Sequence, residues 1–448
     1  MITVIGSINM DLVVTAKRAP DMGETVMGTS WTQIPGGKGA NQAVAAARSG
    51  GETWMVGRLG KDAFGNTLLE SLKHDPLHID HVEIHENAPT GIAAIVVDAS
   101  GRNRITVISG ANYTIHADDI DRLRPLIARS SVLLMQLEIP LDAVERALII
   151  AKEEHTFSIL NPAPATELPD HFYRLANLMT PNESELAILS GCPTQTESEW
   201  IAACRVLLDR GLSSIIVTLG DKGAFYMDQN TERKYPVYRV TAVDTTAAGD
   251  SFNGTLASEI ARYLKENSAK WRSVNVGEDV ASPSETYVST SNKEKTDPHA
   301  KKTTGLCAEK ATETQAEAGA DLNLKNGAET HAEVGAELNI KNGAETYAEV
   351  GAELNLKNGA ETHAEVGAEL NSGEGAAEKT EKSSNFSDIS AFSHSFQIPY
   401  DILDHAVDRA TRAAAITVTR EGAQPSLPTA QEIDDFNIWY KARSPKQS

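Results

Sequence analysis

Short apolar runs alternate with longer stretches whose apolar residues recur three and four positions apart through the first 264 residues. "ITVIG", "TWMVGRLG", "SVLLMQLE", "TFSIL" and "SSIIVTLG" are continuous and rich in branched side chains. Strands covered on both faces of a parallel sheet look like this. Between them, "GANQAVAAARSG", "DAFGNTLLESLKH", "PLDAVERALIIAKEE" and "EWIAACRVLLDRG" carry helical periodicity. Gly50 is placed to end the first helix, and Asp62 to cap the second. This alternation predicts an α/β fold with a mainly parallel sheet between helices. Two stretches break the rhythm, "DLVVTAKRAPDMGETVMGTSWTQI" and "TGIAAIVVDASGRNRITVI". Both read as hairpin strands with no helix between, which predicts a small separate sheet, a lid, over roughly 11–35 and 90–109.

The pattern then disappears. Residues 266–397 are hydrophilic and contain a 16-residue repeat beginning at Glu329, Glu345 and Glu361, with a degenerate copy at Glu313. Each copy offers only two to four sizeable apolar residues, chiefly Val and Leu, too little to offset about 1–2 kcal/mol of backbone entropy per residue. A disordered or weakly helical insert is expected, with "AETHAEVGAEL" as a transient helix and a solenoid as the alternative. Periodicity returns in "YDILDHAVDRATRAAA". Residues 1–265 and 398–448 therefore read as one domain interrupted by the insert, which leaves from the end of a helix opposite Asp250.

Composition narrows the functional classes. The net charge is −21 over 448 residues, which argues against nucleic acid or an anionic membrane as the main partner. The three cysteines, Cys192, Cys204 and Cys307, have neither metal-like nor redox-like spacing, as expected of a cytoplasmic protein. "MITVIGSINMDLVV" has no basic segment followed by an apolar one, so no signal peptide is read. No run approaches the length of a membrane span.

Two segments carry chemistry. "VDTTAAGDSFNGTLA" (243–257) sets small residues and one carboxylate, Asp250, at a helix start. Small side chains let a ligand reach the backbone, and a helix start offers unpaired N–H groups with a positive partial charge. An anion and a proton to be moved are the expected cargo. "PGGKGANQAVAAA" (35–47) is a second glycine-fed helix start. It lacks the spacing of a P-loop, and no Gly-x-Gly-x-x-Gly marks a dinucleotide fold.

Taken in order, "GSINMD" (6–11), "GGKGANQAVAAARSG" (36–50), "LLMQLE" (133–138), "LNPAPA" (160–165), "TPNESE" (180–185), "VTLG" (217–220), "AVDTTAAGDSFNG" (242–254) and "AAAITVTREGAQPSLP" (413–428) resemble the motifs of the PfkB carbohydrate kinase family, most closely its ribokinases. The likeness covers 1–264 and about 399–440; the repeats have no counterpart in it. It implies a ribokinase-like three-layer α/β/α sandwich with a β-sheet lid. It implies ATP-dependent phosphorylation of D-ribose at the 5-hydroxyl, giving ribose 5-phosphate and ADP. Asp250 would be the general base, and the amides of Ala247, Ala248, Gly249 and Asp250 an anion hole. Asn9, Asp11, Gly37, Lys38, Asn41 and Glu138, with Asp250, would pair the sugar hydroxyls. Asn182, Thr218, Gly220 and Gly249 would border ATP. Asn182 and Glu185 would help hold Mg²⁺. A monovalent cation, K⁺, would be bound by the side chains of Asp244 and Ser426 and by carbonyls of Thr246, Thr417, Arg420 and Gly422. The lid would pair in a homodimer. Another small sugar (deoxyribose, fructose) or a nucleoside is the alternative substrate. A weakly catalytic scaffold acting through its repeats is the alternative of another class.

Overall fold

A computed structural model describes residues 1–267 and 398–443, and the backbone of short strands within 314–379. The chain divides into two compact units, Met1–Ser284 with His394–Ser448, and Glu285–Ser393.

The first unit contains strands β1 (Ile2–Ile5), β2 (Asn9–Ala16), β3 (Gly28–Gly36), β4 (Thr53–Gly60), β5 (Leu77–His85), β6 (Gly91–Val97), β7 (Asn103–Ile108), β8 (Val132–Met135), β9 (Phe157–Leu160), β10 (Leu178–Met179), β11 (Ser214–Thr218), β12 (Ala224–Asp228) and β13 (Glu232–Tyr235). Its helices are α1 (Lys38–Arg48), α2 (Ala63–Lys73), α3 (Ala117–Arg122), α4 (Arg124–Arg129), α5 (Leu141–Glu153), α6 (Asp170–Leu175), α7 (Glu183–Ser190), α8 (Glu197–Asp209), α9 (Ala248–Glu266), α10 (Tyr400–Thr417), α11 (Ala430–Asp434) and α12 (Phe436–Arg443).

Nine strands form the central sheet in the order β13-β12-β11-β10-β9-β8-β1-β4-β5. Strands β12 and β13 join antiparallel, and the other neighbours are parallel. Alternate residues of one apolar run serve the two faces. Leu133 and Met135 of β8 enter the core shared with α5 and α8, whereas Val132 and Leu134 enter the core shared with α1, α9 and α10. A run apolar at every position is what two covered faces demand. The result is a three-layer sandwich, with Asp62 capping α2 through Gly65 N as expected. Strands β3-β2-β6-β7 form the separate four-stranded sheet expected of the lid.

The parallel strands β1, β8, β9, β10 and β11 all end on one edge. Their trailing residues, Gly6–Asn9, Gln136–Glu138, Asn161, Thr180–Asn182 and Thr218–Gly220, line that edge together with the starts of α1, α7 and α9. Ligands of open α/β sheets bind there. Helices α1 and α9 cross closely because their contact is made of small residues. A Cβ on Gly254 would sit 2.5 Å from the Cβ of Ala45 and from the carbonyl oxygen of Gln42.

In the second unit, Thr314–Ala316, Thr330–Ala332, Glu345–Ala348, Glu361–Ala364 and Ala377–Lys379 form one parallel sheet; Asp321–Leu324, Glu337–Lys341, Glu353–Lys357 and Glu369–Ser372 form another. Each strand pairs with its own copy one repeat on, Thr330 with Thr346 and Thr346 with Thr362. Among the described residues of "AETHAEVGAEL", strand stands where a transient helix is expected. Stacked copies satisfy one another's backbone groups, which a single repeat cannot do. The expectation of disorder over 266–397 otherwise lies outside the described residues.

Candidate functional site

Asp250 is buried, 8% exposed, in the first turn of α9. Its Oδ2 accepts a hydrogen bond from Asn41 Nδ2 at 3.0 Å, and its Oδ1 accepts one from Gln42 Nε2 at 2.9 Å. Both donors sit on α1, which starts at Gly37 with φ 89°. Glu138 arrives on the loop after β8 and collects Lys38 N at 3.1 Å, Asn9 Nδ2 at 3.5 Å and the hydroxyl of Ser7. Asn9 is held in turn by Asn112, whose Nδ2 donates to Asn9 Oδ1 at 2.7 Å. Asp11 lies two residues further along β2, packed against Gly36. Thus Asn9, Asp11, Gly37, Lys38, Asn41, Glu138 and Asp250, spread over more than two hundred positions, meet in one place.

The electrostatics of this cluster are acidic. Burial, reinforced by the nearby charges of Glu138 and Asp250, raises the Asp11 carboxyl to about 7, with Lys38 opposing. Burial would lower the Lys38 ammonium, but Asp250, Glu138, Glu185 and Asp11 together hold it above its ordinary value. Four carboxylates thus share one ammonium. Asn41 Oδ1 is buried and has no hydrogen-bond partner, so one acceptor beside Asp250 remains to be satisfied.

The start of α9 leaves backbone amides open. Ala247 adopts the left-handed conformation at φ 60° as its N-cap. The turn it makes leaves the amides of Gly249 and Asp250 without a backbone partner among the described residues, and a Cβ on Gly249 would meet nothing within 4 Å. The open side of this turn borders a cavity of about 760 Å³, lined also by Asn182, Thr218, Gly220 and Phe252 and by Val237–Val240. That is the volume of a pocket for a drug-sized ligand.

Asn182 and Glu185 form a reciprocal capping box on α7: Asn182 Oδ1 accepts from Glu185 N, and Glu185 Oε2 from Asn182 N, both at 2.8 Å. Burial raises the Glu185 carboxyl, partly offset by the Asn182 amide and Lys38. Glu185 Oε1 makes no hydrogen bond among the described residues. A carboxylate oxygen left for a ligand would suit Mg²⁺, which takes one or two carboxylates plus substrate phosphates and water.

Asp244, Thr246 and Gly422 come together: Asp244 Oδ1 accepts from Thr246 N and Oδ2 from Gly422 N, each at 2.9 Å. Thr417 O accepts from Arg420 N at 3.1 Å, while the Ser426 hydroxyl donates to Ala423 O at 2.7 Å within its own turn. No group of three or more His, Cys, Asp or Glu is arranged for a metal among the described residues. A cation here would rely on the Asp244 carboxylate, with spare lone pairs on both oxygens, and on carbonyls.

Sequence reading missed the amides beneath Asp250: Gln42, Gln136 and Asn161, and with them Ser7, Asn112, Thr180 and Asn253. The signal was present. Gln136 interrupts "LLMQLE", Gln42 stands in an alanine-rich helix, and Asn161 and Thr180 end buried strands. A polar residue inside an apolar run is buried with a partner or not tolerated.

Comparison with known proteins gives the family. The model of the pfkB family carbohydrate kinases matches residues 1–297. A bifunctional ribokinase/ribose-5-phosphate isomerase A of Fructilactobacillus sanfranciscensis is 41% identical over 260 residues, 58% of this chain but 48% of that protein. A ribokinase of Haemophilus influenzae is 40% identical over 56% of this chain and 83% of its own length. A deoxyribokinase of Salmonella typhi is 39% identical over 57% of this chain and 84% of its own. Among solved structures, an Arabidopsis thaliana ribokinase complexed with ribose and ATP shares the fold, with a TM-score of 0.61, 22% identity and 97% of each chain covered. No helix among the described residues is long and apolar enough to cross a membrane.

Proposed function

The chain belongs to the pfkB family of carbohydrate kinases, and on that premise we propose that it transfers the γ-phosphoryl group of ATP to the 5-hydroxyl of D-ribose. The observation that carries this reading is the juxtaposition at the start of α9. A buried carboxylate, Asp250, stands in the same turn as unpaired amides that open onto a large cavity.

The sugar lies over Asn9, Asp11, Gly37, Lys38, Asn41 and Glu138, whose donors and acceptors pair its hydroxyls. Lys38 keeps the excess acidity of the cluster in check. Asp250 takes the proton of the attacking hydroxyl on Oδ2. The hydroxyl oxygen bonds to the γ-phosphorus, and the bond to the bridging oxygen breaks, leaving ADP. The amides of Ala247 to Asp250 stabilise the charge on the phosphoryl oxygens, worth the most in a site shielded from water. Asn182, Thr218 and Gly220 border the nucleotide. Asn182 and Glu185 would help hold Mg²⁺, which would supply charge neutralisation on the phosphates. A monovalent cation at Asp244, Thr246, Thr417, Arg420, Gly422 and Ser426 would order the loop that carries the anion hole. The lid exposes Val14, Trp31 and Ile108 on one face and Ile105 and Val107 on the other, apolar surface suited to a second copy in a homodimer.

ADP release with ribose, deoxyribose, fructose and adenosine, with and without K⁺, tests the reading. Ribose is expected to give the highest kcat/KM, and K⁺ to stimulate the parent but not Asp244→Ala. Deoxyribose in first place would move the assignment to a deoxyribokinase. No turnover with any acceptor, by folded protein that binds ATP, would favour a scaffold.

A pH dependence follows from Asp11. With its carboxyl raised to about 7, Asp11 loses acceptor capacity as pH falls through neutrality. The sugar KM is expected to rise about tenfold for each pH unit below that point, with kcat little changed. Asp11→Asn should give a high KM that no longer varies there. A parental KM that stays flat from pH 8 to 5.5 would rule this out.

A further inference from the structure

Beneath Asp250 lies a chain of buried amides that the reaction described above does not use. Gln42 is fully buried, with both N–H donors used and its oxygen partnered. Its Nε2 donates to Asp250 Oδ1 and to Asn161 Oδ1, both at 2.9 Å, and its Oε1 accepts from Gln136 Nε2 at 2.7 Å. Asn161 Nδ2 donates to the carbonyl oxygen of Thr180 at 2.9 Å.

The orientation of this chain is not free. A backbone carbonyl can only accept, so Asn161 must present its nitrogen to Thr180 and its oxygen to Gln42. Gln42 must then present its nitrogen to Asn161, which aims its other N–H at Asp250. The same Thr180 also reaches the phosphate side of the site. Its hydroxyl donates to Asn253 Oδ1 at 2.6 Å, and Asn253 Nδ2 donates to Gly249 O at 2.9 Å, in the turn that carries the unpaired amides. One residue at the end of β10 therefore ties both the carboxylate and the phosphate-binding turn to the central sheet.

We propose that Gln42, oriented through Asn161 by the carbonyl of Thr180, is a positioning residue that reserves Oδ1 of Asp250 and leaves Oδ2 to take the proton of the sugar hydroxyl. The proposal rests on the reading of Asp250 as the base. Gln42 touches neither substrate; it acts by fixing the carboxylate plane and by donating to the charged form. A near-attack geometry lost by a fraction of an ångström is costly to rate rather than to binding.

The experiment is the pH profile of kcat, with KM for ribose and ATP, for the full-length parent, Gln42→Leu, Gln42→Glu and Asp250→Asn. Gln42→Leu is expected to lower kcat by about 10²-fold with both KM values near parental. It should also move the acid limb of the kcat profile up by about one pH unit or more, because a hydrogen bond to the carboxylate is gone. Gln42→Glu occupies the same volume, serves where the leucine variant fails to fold, and sets a second carboxyl against Asp250. It should move the acid limb at least as far. A folded leucine or glutamate variant with parental kcat and an unmoved acid limb would overturn the proposal while leaving the base assignment standing. Parental turnover by Asp250→Asn would instead overturn the base assignment itself. A loss of kcat with an unmoved acid limb would show a purely structural role for Gln42 and also overturn the proposal.

Discussion

Asp250→Asn should lower kcat by about 10²–10⁴-fold, the usual contribution of a positioned general base, and leave the protein folded. The two halves of this expectation are separable because the site can absorb an amide. In Asp250→Asn, the amide oxygen keeps the place of Oδ1 opposite Gln42, whose nitrogen is fixed by Asn161. The new NH₂ group then faces Asn41. Asn41 Oδ1 is buried and unpartnered, so a flip of the Asn41 amide turns a donor–donor clash into a hydrogen bond. The number of unpartnered buried polar atoms does not rise, because Asn41 Oδ1 gains a donor as Nδ2 loses its acceptor, and the melting temperature should stay within a few degrees of the parent. On the proposed assignment, however, the sugar hydroxyl would lose the carboxylate that takes its proton, and the KM for ATP should change little because the amides of the turn remain. Rate and thermal melt together check this. A variant that melts like the parent and turns over at parental rate would place the base elsewhere.

The legible part of this molecule was whatever repeats locally. Apolar runs and helical spacings gave the sandwich, and the two helix-free hairpins gave the lid, because periodicity is a local signal that burial enforces. Glu138 and Asp250 could be picked out because motifs keep their spacing. The relay through Gln42 was not legible, since Gln42 and Asp250 stand 208 positions apart and a single amide in an alanine-rich helix has no period. Ala247 gave no sign either. Glycine is the usual residue in the left-handed conformation it adopts at φ 60°, and an alanine held there costs about 1–2 kcal/mol. The repeats are a related case. With few apolar residues, helical and strand periods fit equally well, and pairing between copies decides the outcome.

Gly37→Ala is expected to cost both stability and sugar affinity, and Gly50→Ala separates the two causes. Both glycines bound α1 and both have positive φ, 89° and 97°, so each alanine meets a left-handed penalty of about 1–2 kcal/mol. Their surroundings differ. A Cβ on Gly50 meets nothing closer than Ala430 Cβ at 4.0 Å, whereas one on Gly37 would lie 2.6 Å from Asn9 N and 2.9 Å from Ser7 O. Those are backbone atoms and cannot swing aside, so the 7–9 segment must move away from α1, at a further cost of about 1–3 kcal/mol. The bond from Ala40 N to Ser7 O, now 2.9 Å, would lengthen. Ser7 and Asn9 would shift from Glu138, and Asp11 would follow on the same strand. Gly37→Ala should therefore melt about 4–20 °C lower, at roughly 2–4 °C per kcal/mol, and raise the ribose KM by about 10–10²-fold as hydrogen bonds to charged side chains are lost. Gly50→Ala should melt only a few degrees lower with a parental KM. Equal KM values in the two variants would mean that the close approach of Gly37 to β2 does not position the sugar-binding side chains, and that Asn9 and Asp11 are held by the lid sheet alone.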